Sequence, residues 1–174
     1  MKTRKKTDTN LWRGDCLNIL GNLETESVSL IYLDPPFFTQ KTHSSRLRDQ
    51  KKDFSFKDIW SSDREYATFL RLRLKEMWRV LSPTGSIFFH CDRNASHIAR
   101  FLLNDVFGSE FFQAEIIWSY RRWSNARKGL LPAHQNIYYY TKSAEFVFNT
   151  ILNEYSPSTN VDQILQKRER DATG

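Results

Sequence analysis

The apolar residues of this chain recur with changing periods, and the changes mark out its elements. Val28–Leu33 is an almost unbroken apolar run, as expected of a strand buried on both faces. It stops at Asp34, where Pro35 and Pro36 forbid further ladder pairing. Across 63–81, Tyr66, Phe69, Leu70, Leu74, Met77, Trp78 and Leu81 fall on one helical stripe. Ser82-Pro83-Thr84-Gly85 ends that helix and turns the chain. Residues 86–90 read as the next strand. Residues 95–107 read as the next helix, with Ile98, Phe101, Leu102 and Val106 inward and Gly108 as its stop. Strands are expected at 115–119, 137–141 and 145–148. Leu11 opens a short apolar segment closed by Gly14-Asp15, and Asp15 can cap a helix running to Leu23. Residues 38–61 are polar and basic without a sustained period, a loop of the length that is usually functional or mobile. Residues 160–170 read as a polar helix.

Strand and helix alternate, which is the signature of a layered α/β sheet. At 174 residues, with 40% apolar and 26% charged side chains, the chain is one ordinary globular domain. No apolar run approaches the roughly 20 residues that span a bilayer, and no apolar stretch follows the basic start, so no membrane association is expected and the cytoplasm is the default compartment. Two cysteines cannot build a disulfide framework, and Cys16 and Cys91 read as buried free thiols. Four scattered histidines make no zinc pattern, so no metal is expected. The net charge of +6 suits a polyanionic partner. It concentrates in two places. One holds Lys41, Arg46, Arg48, Lys51, Lys52 and Lys57; the other holds Arg121, Arg122, Arg127 and Lys128, interleaved with Tyr120 and Trp123. Phosphate-binding loops have this pattern, and so do solvated faces.

Asp34-Pro35-Pro36-Phe37 is the stretch with chemical content. Open α/β sheets bind ligands at the carboxyl ends of their strands, and an acid sits there. Two prolines stiffen the following turn and present an aromatic ring beside the acid. A nucleobase amine is a poor nucleophile because its lone pair is delocalised into the ring. Hydrogen bonds from its protons to the Asp34 carboxylate and the Pro35 carbonyl would draw the nitrogen toward tetrahedral geometry and free that pair. Phe37 can stack on the base, a contact worth about 1–3 kcal/mol. Alone, however, Asp-Pro-Pro is often no more than a strand-ending turn.

Several ordered segments together resemble the β-class amino-methyltransferases of bacterial restriction–modification systems. Gly14-Asp15-Cys16-Leu17, followed by the run from Ser27 through Phe37, is similar to the family's opening. Arg79-Val80-Leu81-Ser82-Pro83-Thr84-Gly85-Ser86 is similar to its later helix-to-strand turn. Glu115-Ile116-Ile117-Trp118 and Ile137-Tyr138-Tyr139-Tyr140-Thr141-Lys142 resemble the last strands of its catalytic half. The resemblance implies S-adenosylmethionine as cofactor and double-stranded DNA as partner. Asp34, Pro35, Pro36 and Phe37 would form the catalytic motif; Asp15, with Cys16 beside it, would approach the adenine end of the cofactor, and Asp34 would also contact the cofactor. Capping a helix is the plainer role for Asp15. An aspartate opening the motif is typical of the adenine-specific enzymes; N-4 cytosine relatives usually begin with serine, and they remain the alternative.

The family's glycine-rich cofactor turn has no counterpart. Of the six glycines, the closest pair, Gly14 and Gly21, lies seven positions apart. The expected fold is therefore α/β, a partial Rossmann-like S-adenosylmethionine-dependent methyltransferase sheet with flanking helices that lacks the cofactor-motif strands. Residues 1–150 would be the catalytic half and 151–174 the start of a truncated recognition region. That favours an incomplete or split adenine methyltransferase, completed by a complementary methylase half. A reading of another class is an inactive nucleic-acid-binding remnant or helper subunit.

Overall fold

The computed structural model describes residues 9–46, 53–121 and 128–152. Asp15 caps the first helix, α1 (Cys16–Gly21), its carboxylate accepting from the Leu17 N–H at 2.9 Å. The helix is shorter than its apolar pattern suggests. The Asn22 N–H turns back onto Ile19 and Leu20, and Leu11 and Trp12 before it remain exposed and enter no strand. Strand β1 (Val28–Leu33) follows, then β2 (Lys41–Arg46) and β3 (Asp53–Asp58), helix α2 (Asp63–Val80), β4 (Leu81–Cys91), helix α3 (Ser96–Phe107), β5 (Phe112–Ser119) and β6 (His134–Thr141).

The main sheet runs β1-β4-β6-β5. β1 and β4 are parallel, with Ile31 opposite Ile87 and Leu33 opposite Phe89; β6 is antiparallel to both β4 and β5. Helices α2 and α3 pack on one face. Tyr66, Leu70, Leu74 and Met77 from α2 meet Ile98, Leu102 and Leu103 from α3 over Ile87, Phe89, Tyr138 and Tyr140. Phe101, expected inward, is 67% exposed, because the two residues after it, Leu102 and Leu103, take the face of α3 that meets the sheet.

Three further expectations are corrected. β1 is not buried on both faces. It is the outermost strand of the sheet, and the described helices cover only its Ile31 and Leu33 side, leaving Leu30 and Tyr32 more than half exposed. The segment 38–61 is not an irregular loop. Lys41 through Arg46 pair antiparallel with Asp53 through Asp58 in a separate two-stranded hairpin. Residues 145–148 form no strand, because Ser143 captures the chain. Its hydroxyl accepts from the Glu145 N–H and its carbonyl accepts from Thr141, replacing ladder bonds with a local turn.

The turn read at Ser82-Pro83-Thr84-Gly85 survives inside β4 as an irregularity. The pairing jumps from Val28 opposite Leu81 to Leu30 opposite Ser86. Gly85 is required there, since a Cβ would lie 2.7 Å from the Leu81 side chain and 3.0 Å from the Ser82 carbonyl. Lys142 braces the same corner, its ammonium donating to the Leu81 carbonyl at 2.6 Å.

Candidate active site

Asp34 leaves the carboxyl end of β1 with its side chain 60% exposed, on the wall of a cleft of about 500 Å³. Pro35, Pro36 and Phe37 line the same cleft, so the four motif residues are brought together. The corner is held from below. Tyr66, fully buried on α2, donates its hydroxyl to the Pro36 carbonyl at 2.6 Å. Phe38 adopts φ 60°, a left-handed conformation that costs a bulky residue about 1–3 kcal/mol, and packs on the Tyr66 ring at 5.0 Å.

What stabilises that backbone is Asp58, 1% exposed at the end of β3. One carboxylate oxygen accepts from the Phe38 N–H at 3.1 Å and the Trp60 indole at 2.8 Å. The other accepts from the Thr39 N–H at 2.8 Å and the Thr39 hydroxyl at 2.7 Å. Burial works to raise the Asp58 pKa, but the bonds from Thr39, Trp60 and Phe38 outweigh it and hold the acid below its ordinary value. The hairpin is thereby tied to the motif.

His90, on β4 and 8% exposed, stands behind Asp34 with its Nδ1 3.3 Å from the carboxylate. The same nitrogen lies 3.2 Å from the Tyr32 hydroxyl, and Nε2 lies 2.9 Å from the Gln135 amide oxygen, to which it donates. Phe37 meets the His90 ring edge-on at 5.2 Å, and Trp118 stacks on it at 5.8 Å. Partial burial and the Asp34 charge together push the Tyr32 phenol up. One imidazole therefore connects the acid, the motif aromatic and the tips of β5 and β6.

Asp15 and Cys16 stand apart from this cleft, at the start of α1. Both Asp15 oxygens accept from Arg73, at 2.8 and 2.7 Å. The Leu17 N–H is the largest influence holding its carboxyl below the usual range, with Arg73 adding to it. Cys16 is exposed rather than buried, since α1 turns no buried face to the core. Cys91 is buried, and burial pushes its thiol up to about 12. Of the basic residues, Lys41 lines a second, polar cleft of about 420 Å³ beside the first, with Arg93 and His134. Arg121 and Lys128 are exposed. Arg48, Lys51, Lys52, Arg122 and Arg127 lie outside the described residues, as does the helix expected at 160–170, and Arg46 is described only as backbone within β2. No described helix is long and apolar enough to cross a membrane.

Sequence reasoning missed Tyr66, which it placed in the core stripe, and Asp58, Thr39, His43 and Phe56, which it left in a loop. The alternation Phe54-Ser55-Phe56-Lys57 was a usable strand signal. Nothing local marked Asp58 as a neighbour of the motif, whereas His90 ends a strand on the expected ligand edge, without a role assigned to it.

A strand-end acid, a rigid aromatic corner and a cleft beside them define an α/β protein with a cleft at the carboxyl ends of its strands, where open α/β sheets bind ligands. The DNA methylase family model matches residues 28–172, and the chain belongs to that family. The type II methyltransferase M.HpaI of Haemophilus parainfluenzae is 30% identical over 144 residues, covering 82% of this chain and 42% of the relative. M.HinfI of Haemophilus influenzae is 41% identical over 80 residues, 44% of this chain and 22% of that protein. The fold is similar to a DNA modification methylase of Thermus thermophilus, with TM-score 0.51 and 16% identity over 79% of this chain and 54% of that one. It is equally similar to PvuII DNA methyltransferase, described as cytosine-N4-specific, with TM-score 0.51 and 20% identity over 76% and 48%. The amino-methyltransferase resemblance and the partial α/β sheet are thus borne out. The chain spans less than half the length of the curated relatives it matches.

Proposed function

We propose that this chain carries the base-reacting part of a site-specific DNA methyltransferase, acting on the exocyclic amine of an adenine extruded from duplex DNA, with S-adenosylmethionine as methyl donor. The observation that carries the reading is Asp34 itself: a carboxylate facing a cleft from the end of a parallel strand, on a corner pinned by Tyr66 and Asp58. Asp34 and the Pro35 carbonyl accept the two amine protons, the nitrogen pyramidalises, and Phe37 holds the base by stacking. Fixing these groups in advance means little reorganisation at the moment of reaction. Transfer would break the donor's sulfur–methyl bond, leaving a neutral thioether, as the N–C bond forms, and one amine proton would have to leave. Asp34, with His90 3.3 Å behind it, is the basic pair on hand to receive it.

The chemistry of the cleft suits the reacting end of the cofactor, since a carboxylate rimmed by Phe37 and other rings favours a cation. When bound, S-adenosylmethionine supplies a methyl group already activated by its sulfonium. Asp34 would face that end, with Asp15 and Cys16 toward the adenosine. The glycine-rich turn absent from these residues is contributed, in this reading, by further sequence or by a complementary methylase half. Lys41 and Arg46 of β2, together with Arg48, Lys51, Lys52, Arg121, Arg122, Arg127 and Lys128, would follow the DNA phosphates.

The test is transfer of tritiated methyl from S-adenosylmethionine to methylation-free genomic DNA, by this chain reconstituted with a glycine-rich half, followed by separation of the nucleosides. N6-methyladenine is the expected product, and Asp34→Ala is expected to lose about 100–1,000-fold in rate. N4-methylcytosine would move the reading to the cytosine enzymes. Undiminished transfer by Asp34→Ala would refute the assigned chemistry.

A further inference from the structure

The hairpin brings an aromatic pair to the cleft that the chemistry above does not use. His43 on β2 and Phe56 on β3 are direct cross-strand partners, their rings stacked at 4.9 Å and 20°. Both line the same cleft as Asp34 and Phe37. Phe56 is 56% exposed and the His43 side chain 41%, so the rings remain largely accessible.

The protonation of His43 follows from its supports. Asp58 is held ionised by its four hydrogen bonds and can only accept. The single hydroxyl proton of Thr39 is therefore committed to Asp58 at 2.7 Å. His43 Nε2, 2.7 Å from the same hydroxyl oxygen, must then donate to it. The Asp58 carboxylate also lies 4.0 Å from Nε2, and Asp34 lines the same cleft. Nε2 therefore carries a proton, and in the neutral ring Nδ1 is the acceptor.

We propose that His43 and Phe56 form the second wall of the base pocket. They would stack on the face of the extruded base, with the orientation of the His43 ring fixed by its Nε2 bond to the Thr39 hydroxyl. The inference rests on the proposed function, because the cleft must first be a base site. A cross-strand pair that merely stabilises the hairpin would share the stacking but have no preference among nucleic acids.

Single-stranded DNA supplies unpaired bases without a recognition sequence. Fluorescence anisotropy would compare a dA dodecamer with the same backbone carrying abasic sites. The unmodified chain should prefer the dA strand. Phe56→Ala should weaken dA binding by about tenfold and leave the abasic strand unchanged, with Phe56→Tyr restoring the preference. Equal loss on both strands, or none, would overturn the proposal. If Asp34→Ala loses the preference and Phe56→Ala keeps it, the site stands and the second wall falls. If only Phe56→Ala loses it, the wall stands and the amine contact at Asp34 falls. Nitrogen-15 NMR of the His43 imidazole gives a check independent of these variants. A proton on Nε2 and none on Nδ1 is expected in the neutral ring, and a proton on Nδ1 would overturn the assignment.

Discussion

Replacing Asp58 with asparagine changes one atom in a site where both carboxylate oxygens are fully used. Four donors converge there: the N–H groups of Phe38 and Thr39, the Thr39 hydroxyl and the Trp60 indole. Asparagine keeps one acceptor oxygen and turns an amide NH2 toward the other two donors. Whichever way the amide rotates, two bonds are lost and two buried donors are opposed. At about 1–3 kcal/mol for each unsatisfied group, Asp58→Asn should cost roughly 2–6 kcal/mol. With a Tm shift of about 2–4 °C per kcal/mol in a chain of this size, melting should fall by roughly 4–24 °C. Urea unfolding followed by tryptophan fluorescence would measure the loss, with Trp60 as the local reporter. The sign of the pH dependence is also set. Because the folded acid lies below its unfolded value, its contribution is complete above about pH 4 and is lost as pH falls through the lowered folded pKa. Asp58→Asn should therefore flatten the acid limb of the stability curve. A cost under about 1 kcal/mol with an unchanged acid limb would refute the argument that this carboxylate anchors the corner.

Two other perturbations probe the same frame. Tyr66→Phe leaves the ring in the core but strips the Pro36 carbonyl of its donor, so it should cost about 1–3 kcal/mol by urea denaturation. Binding of the dA dodecamer should weaken alongside, since the motif loses its brace. Gly85→Ala pushes a methyl onto the Leu81 side chain at 2.7 Å and should cost about 1–3 kcal/mol, read as a lowered urea midpoint at unchanged slope. A neutral result would mean that the β4 corner relaxes freely.

Elements with a strong period were legible in the sequence. The stripe from Tyr66 to Met77 gave α2 almost to the residue, and Gly108 at φ 94° ends α3 where a glycine was expected to. Asp34 could be placed at a strand end because prolines are unambiguous punctuation. What stayed hidden depends on contacts between distant positions. Lys41 to Arg46 carry no apolar signal, so β2 exists only because β3 pairs with it. Asp58 looks like any polar residue until Phe38 and Thr39 fold back 20 and 19 positions to reach it. His90 had a strand but no role until β1 and β6 brought Asp34, Tyr32 and Gln135 around it. Overstating the burial of β1 has a related cause. An apolar run reports what a strand is suited to meet, not whether the described residues supply it.

The outermost position of β1 has a practical side. Its rim of amide and carbonyl groups, unpaired by any strand among the described residues and beside the half-bare Leu30 and Tyr32, is an adhesive strip that a neighbouring molecule's strand could zip along. The purified chain should therefore be handled dilute and cold. Turbidity that grows with concentration would come from this margin rather than from a failure of the core.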